Sequence, residues 1–320
     1  VERVLRVRPS ALLLTIMSKK ALLVIMDGFG MTQDPAVSAI AQANTPNLDD
    51  LMVTYPTTTL KTSGVDVGLM AGQMGDSNVG HLNIGAGRII WQMLPRIMQS
   101  IADESFYTEP VLISAVQKAR VNSETLHIMG LVSDGGVHSH IIEIKALLEL
   151  VKRQGPVPVA IHAFLDGRDV PPQSAKQYIG QVEQWCAEYP FAHLATVSGR
   201  FYAMDRDQRW ARTDLAVQAL MRGQGVEANS GLEALDASYA KAINDEFVLP
   251  TVIKAQNRPV AMMAPGETVI YINFRADRAR QLSAKLLEQG VTVIGMAQYD
   301  AALQMPVVFP PQPIHDTLGE

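Results

Sequence analysis

One cysteine, Cys186, stands in a chain of 320 residues, so no intrachain disulfide can form and a reducing cytoplasm is the default expectation. No apolar run reaches the ~20 residues needed to span a bilayer, and no membrane association is expected. An excess of positive charge is also lacking: 27 Lys and Arg face 32 Asp and Glu, a net charge of -5. A nucleic-acid partner, whose footprint would be basic, is therefore not expected. Internal repeats and low-complexity tracts are missing too. What is there is 48% hydrophobic and 18% charged, ordinary for a globular chain of roughly two domains.

The first residue is Val1 rather than a methionine. Arg3, Arg6 and Arg8 precede the apolar Ala11 to Met17, a loose imitation of a signal peptide. Ser18-Lys19-Lys20 follows where a small-residue cleavage site would stand. A natural start at Met17 is the plainer reading, and residues 1–16 are set outside the fold as an extension.

Ala21 to Met26 is a continuous apolar run, which predicts a strand buried on both faces of a parallel sheet. Asp27 then stands at its carboxyl end, where open α/β sheets place their ligands. A metal ligand and an Asx-turn opening the loop are the two readings of that carboxylate. Thr45-Pro46 predicts a capped helix start, and Thr57 to Ser63 is a weaker strand candidate. The stretch Gly72 to Gly87 is polar and glycine-rich, and Val79, Leu82, Ile84 and Ala86 within it suggest a short helix beginning near Ser77. A serine there lies beside unpaired N–H groups and the positive end of the helix dipole, where a phosphate or oxyanion is held. The plainer alternative is an N-cap serine.

From Leu126 onward apolar runs alternate with helical periodicity. Strands are expected at Leu126 to Val132, Val157 to Leu165, Ala192 to Val197, Thr268 to Phe274 and Val291 to Met296. Between them lie helices over Ile141 to Gln154, from Pro171-Pro172 to about Tyr189, over Gln208 to Met221, and up to Gln289. This is β-α alternation, so the fold class is α/β with a mostly parallel sheet covered by helices. Residues 229–265 are less regular, and Asp245 to Pro250 looks like an exposed loop leading into a strand. The tail, Val307 to Glu320, reads as a linker or hinge.

Charge falls at the ends of these strands. Asp134 and His138, then Arg168 and Asp169, then Arg200 and Arg206, then Arg275 and Arg278 follow four successive runs. Parallel strands put their carboxyl ends on one edge, so these loops are expected to converge. Several guanidiniums in one crevice imply a substrate rich in phosphate or carboxylate oxygens. His138 and His140 are spaced i, i+2, which does not place them on one helix face as a metal pair. One of them is expected to be a substrate contact or general acid–base group, the other a turn or capping residue. His162, inside an apolar run, reads as a satisfied core histidine.

The segments LLVIMDGFG, GQMGDSNVGHLNIGAGRII, LVSDGGVHSHI, HAFLDGRDVPPQSA, SGRFYAMDRDQRW, DEFVLPTVI and INFRADRARQLS cover nearly all of residues 21–300. In them the sequence resembles the cofactor-independent (2,3-bisphosphoglycerate-independent) phosphoglycerate mutases of the alkaline phosphatase superfamily. Asp76-Ser77-Asn78 departs from the family's more usual Asn-Ser-Glu but keeps the serine. The resemblance implies an incomplete alkaline-phosphatase-like domain over 17–91, an inserted transferase domain over 92–310 that binds substrate, and a hinge over 311–320. It implies interconversion of 3- and 2-phosphoglycerate through phosphoserine in a monomer that uses two manganese ions. Ser77 would be the nucleophile, and Asp27 and Ser77 would be metal ligands. His138, Arg168, Asp169, Arg200, Arg206, Arg275 and Arg278 would line the substrate pocket, with Asp169 a base for the accepting hydroxyl. Family members continue well beyond a position like Glu320, and the further part supplies a pocket lysine and the remaining metal ligands. The chain is thus expected to be inactive or nearly so alone. The alternatives are a non-catalytic phosphosugar-binding fragment and another superfamily mutase such as a phosphopentomutase.

Overall fold

The computed structural model describes residues 22–32 and 34–320. The expectations for residues 1–16, Met17 and Ala21 lie outside the described residues. The chain divides into two compact units at Leu60 and Lys61.

In the first unit the expected strand does not form. Residues 22–26 make no ladder, and Leu22, Leu23 and Val24 are 88, 60 and 66% exposed. A strand exists only with a partner that accepts and donates its backbone hydrogen bonds. Among the described residues this unit has no second strand to supply them. Asp27 and Gly28 instead occupy the centre of a turn closed by the Phe29 N–H on the Met26 carbonyl, 3.2 Å, with Gly28 at φ +77° as such a turn requires. Two helices follow, α1 (Ala39–Gln42) and α2 (Pro46–Thr54). Pro46 opens α2 as expected, but the Thr45 hydroxyl donates to Asp49 Oδ1, 3.1 Å, rather than capping a backbone N–H.

The weaker strand expected over Thr57 to Ser63, which straddles the boundary between the units, does not form either. A turn at Gly64–Val67 and helix α3 (Ser77–Ala86) share a small core of Val67, Leu69 and Val79. Helices α4 (Met93–Ala102) and α5 (Pro110–Asn122) then lead into the sheet. Its strands are β1 (Leu126–Leu131), β2 (Val159–Leu165), β3 (Ala192–Gly199), β4 (Val226–Ala228), β5 (Thr251–Ala255), β6 (Arg258–Pro259), β7 (Thr268–Tyr271) and β8 (Thr292–Gly295). The helices among them are α6 (Ile142–Gln154), α7 (Ala175–Glu188), α8 (Arg200–Ala203), α9 (Trp210–Arg222), α10 (Gly231–Tyr239) and α11 (Arg280–Glu288). Pro171-Pro172 therefore precede the helix they were expected to open.

The strand order is β4-β5-β3-β2-β1-β7-β8, with β6 paired to β5. Strands β1, β2, β3, β7 and β8 are mutually parallel, as the alternation predicts. The less regular stretch hides the exception: β5 runs antiparallel to β3, with β4 parallel to β5. Period-two alternation fills both faces. Ile128, Ile161 and Ile270 pack on one side with α5, α6 and α7, while Met129, Phe164 and Tyr271 pack on the other with α9 and α11. His162 is a satisfied core residue, between His127 and Thr196 Oγ1 at 2.9 Å each. A one-residue bulge in the β2–β3 register after Ile161 brings that threonine opposite it.

Two features position the candidate site. The carboxyl ends of β1, β2, β3 and β7 share one edge, and the order reverses between β1 and β7, the usual place for a ligand in an open α/β sheet. Because β5 is reversed, the segment before it, Asp245–Phe247, arrives at that same edge. The loop expected over Asp245 to Pro250 is exposed only in part: Phe247 and Leu249 are 46 and 41% exposed, but Asp245 and Val248 are fully buried.

Candidate active site

Arg200 is the hub of the edge. It opens α8 directly after β3 and is 1% exposed, an arrangement tolerable only if the charge is paired. Its Nη1 donates to Asp166 Oδ1 at 2.7 Å and Asp169 Oδ2 at 2.5 Å, and its Nη2 lies 2.9 Å from His138 Nε2. Asp166 directly follows β2 and also accepts from Ser133 Oγ at 2.7 Å and from the backbone N–H groups of Arg168 and Asp169. Burial alone would raise the Asp166 pKa, but these donors and the Arg200 charge hold it below the usual carboxylate range. One aspartate thus fixes three loops, those following β1, β2 and β3.

His138 is buried, and its pKa is lowered to about 4, first by burial and then by the neighbouring Arg200 charge, against the pull of Asp169. It is therefore neutral at pH 7. Its Nε2 accepts from Arg200, which places the ring proton on Nδ1. His140 takes the capping part: its Nδ1 accepts from the Ile142 N–H, 3.3 Å, and its own N–H donates to Glu143 Oε1, 2.8 Å, at the start of α6.

The other guanidiniums gather at the same edge. Arg206 donates to Asp277 Oδ2 at 2.9 Å, and Arg275 Nε lies 3.1 Å from Asp277 Oδ1. Arg168 faces Glu246 at 3.6 Å, and Arg278 donates to the Met204 carbonyl at 3.1 Å. The Arg278 pKa is pushed down by burial and then by the positive charges of Arg200 and Arg206, which follow β3, and of Arg168, which follows β2. Such mutual repulsion requires proximity. The structure therefore brings together Arg168, Asp169, Arg200, Arg206, Arg275, Arg278 and His138.

Ser77 is built elsewhere in the fold. It is the first residue of α3, and the cap is Asp76, whose Oδ1 accepts from the Val79 N–H at 2.9 Å. The plainer alternative, Ser77 as the N-cap, is thus not met: the cap is the residue before it. His81, one turn on, places Nδ1 2.8 Å from the Ser77 carbonyl and 3.2 Å from its Oγ. Asp27 belongs to the first unit. Among the described residues no group of three or more His, Cys, Asp or Glu could hold a metal ion. Asp27 and Ser77 by themselves do not furnish the six or so oxygen ligands of a hard divalent cation.

A family model described as BPG-independent PGAM N-terminus matches residues 97–306. The chain belongs to this family. It is 49% identical to the 2,3-bisphosphoglycerate-independent phosphoglycerate mutase of Moorella thermoacetica, in an alignment covering 95% of this chain and 61% of the relative. Against the protein of the same name from Clostridium botulinum (strain Langeland) the values are 47%, 95% and 62%. The chain thus spans about three fifths of the length of these relatives. A crystal structure of Leishmania mexicana phosphoglycerate mutase at low cobalt concentration superimposes with a TM-score of 0.72 at 28% identity, over 92% of this chain and 58% of that one. The family's mixed α/β fold, with its parallel-dominated sheet, is the fold described above.

Several residues at the edge escaped the sequence reading as participants: Asp166, Ser133, Asp205, Glu246 and Asp277. Asp205 is buried and accepts from the N–H groups of Asp207 and Arg209 and from Gln281, which fixes the loop that displays Arg206. The signal was available for Asp166, an aspartate before glycine at a strand end. It was not available for Glu246, whose arrival depends on the reversed strand.

Proposed function

We propose that this chain is the substrate-gripping part of a phosphoglycerate mutase, and that the arginine edge binds 3- and 2-phosphoglycerate. The observation that supports it is the gathering of Arg168, Arg200, Arg206, Arg275 and Arg278 at one sheet edge, where Arg278 is depressed first by burial and then by the charges of Arg200, Arg206 and Arg168, a concentration of positive charge suited to a small ligand carrying both phosphate and carboxylate. Arg200 with His138 forms the rigid floor, and Arg168, Arg206, Arg275 and Arg278 close on the anion. In the transfer, the Ser77 Oγ–P bond forms as the substrate O–P bond breaks, and the Ser77 hydroxyl proton passes to the departing glycerate oxygen, giving phosphoserine and glycerate. The glycerate turns, and its other hydroxyl takes the phosphoryl group back. Asp169 accepts that hydroxyl's proton, and the arginines stabilise the charge on the transferring group. The amino end of a ten-residue helix favours the oxyanion at Ser77. In the whole family enzyme the metals assigned here are two manganese ions, of whose ligands this chain would supply Asp27 and Ser77.

A second reading, a phosphoglycerate-binding fragment without turnover, is favoured by the three-fifths span. Calorimetry and a coupled mutase assay on the purified 320-residue chain separate the possibilities. Binding at roughly millimolar ligand, weakening with salt, and no turnover are expected. Heat-silent titration at that concentration would sink the binding assignment, and turnover would exclude the fragment reading.

A further inference from the structure

The segment Asp245–Phe247 is held more firmly than a connecting turn needs to be. Asp245 accepts from the Ala175 N–H, 2.9 Å, and from the Tyr239 hydroxyl. The Val248 carbonyl accepts from the Gly199 N–H, 2.8 Å. Two glycines leave the room for it. A Cβ on Gly167 would lie 2.9 Å from the Asp245 Cβ, and one on Gly199 would lie 2.3 Å from the Glu246 carbonyl oxygen. Gly167 and Gly199 are the residues immediately before Arg168 and Arg200. The segment is therefore wedged between the ends of β2 and β3, beside two residues of the arginine edge.

What the wedge delivers is a carboxylate. Glu246 Oε1 lies 3.6 Å from Arg168 Nη1, and the glutamate side chain is 21% exposed against 55% for the arginine. A negative charge at the rim of an anion pocket weakens anion binding through its field unless it does something else for the site. Arg168 is the guanidinium most in need of help: it is half exposed and long, with a large rotamer entropy to lose. The Glu246 backbone, by contrast, is fixed by Asp245 and by the two glycines.

We propose that Glu246 is a positioning residue: it holds the Arg168 guanidinium over the substrate pocket, leaving the rest of the fork to the ligand's oxygens. This rests on the reading of the edge as a phosphoglycerate site. The sequence places the device beyond easy reading, because Glu246 meets Arg168 only through the antiparallel entry into β5.

The test is a double-mutant cycle on the full chain with 3-phosphoglycerate as the calorimetric probe. Glu246→Ala is expected to weaken binding about 2- to 5-fold, the range of a partly exposed ion pair. Glu246→Asp is expected to recover only part of it, being one methylene short. In an Arg168→Ala background Glu246→Ala should change nothing. An equal loss in that background would assign Glu246 a merely structural role, and tighter binding by Glu246→Ala would make it a competing counter-ion. A ligand-free arm stands apart from the functional reading. The Arg168 Nε–Hε nuclear magnetic resonance signal should report hindered guanidinium rotation in the wild type and free rotation in Glu246→Ala. Unchanged rotation overturns the proposal, even if phosphoglycerate does not bind. Absence of binding with hindered rotation overturns only the substrate assignment.

Discussion

Residues 22–26 and strand β2 are both apolar runs that end in Asp-Gly, at Asp27-Gly28 and Asp166-Gly167, and both glycines have positive φ. Residues of β2 are 0–2% exposed, whereas Leu22 to Met26 are 42–88% exposed. Strand β2 has β1 and β3 beside it, and those neighbours deliver Ser133 and Arg200 to Asp166. The first run has no ladder, and its aspartate sits in a β-turn. The same local pattern thus yields a core strand followed by a buried, paired carboxylate in one place and an exposed segment in the other. What decides is the partner strand, which supplies backbone bonds, cover and charged neighbours together.

Removing the hub tests that comparison most severely. Arg200→Ala leaves Asp166 buried without its cation, and the loss of stability is expected to reach about 3–5 kcal/mol. Leu22→Ala, in the first run, 88% exposed, should stay within ~0.5 kcal/mol of wild type, as a surface change does. Urea unfolding followed by circular dichroism measures both. Similar losses at the two positions would mean that residues 22–26 are covered in solution.

A pH experiment sharpens the same point at His138. The unfolded imidazole titrates near 6.5 and the folded one near 4. Between those values the unfolded chain binds more protons, so stability rises with pH across that window. The contribution is fully present above pH 6.5 and is lost as pH falls toward 4, by about 3 kcal/mol in all. His138→Gln, whose carbonyl can still accept from Arg200, should flatten that part of the stability–pH curve. An unchanged slope would show that other groups carry it.

How much of this was legible beforehand follows from the same physics. The parallel strands were legible because a strand buried on both faces is written as an unbroken apolar run, and the arginines because parallel strands share a carboxyl edge. Glu246 was illegible because strand direction is not encoded locally: Thr251–Ala255 would read alike in either orientation. The first run was misread for a related reason, since its letters specify burial without supplying a neighbour. The helix start near Ser77 was legible, whereas the plainer alternative of Ser77 as its cap was not met, because Asp76 and Ser77 are both good caps and geometry chose the aspartate.

The finest test trims one or two carbons from a side chain. Ile161 lies at the centre of β2, fully buried and flanked by Ile128 and Leu194 across the ladders. Ile161→Val removes one methylene from a close-packed site and should cost about 1 kcal/mol. Val24, 66% exposed in the first run, loses no packing when shortened. Val24→Ala should shift the unfolding midpoint by less than the ~0.5 kcal/mol typical of a surface change. Matched scans at both sites therefore measure how much of an apolar run's stabilisation comes from its neighbours. A Val24→Ala cost equal to that of Ile161→Val would mean that residues 22–26 are covered in solution by another surface.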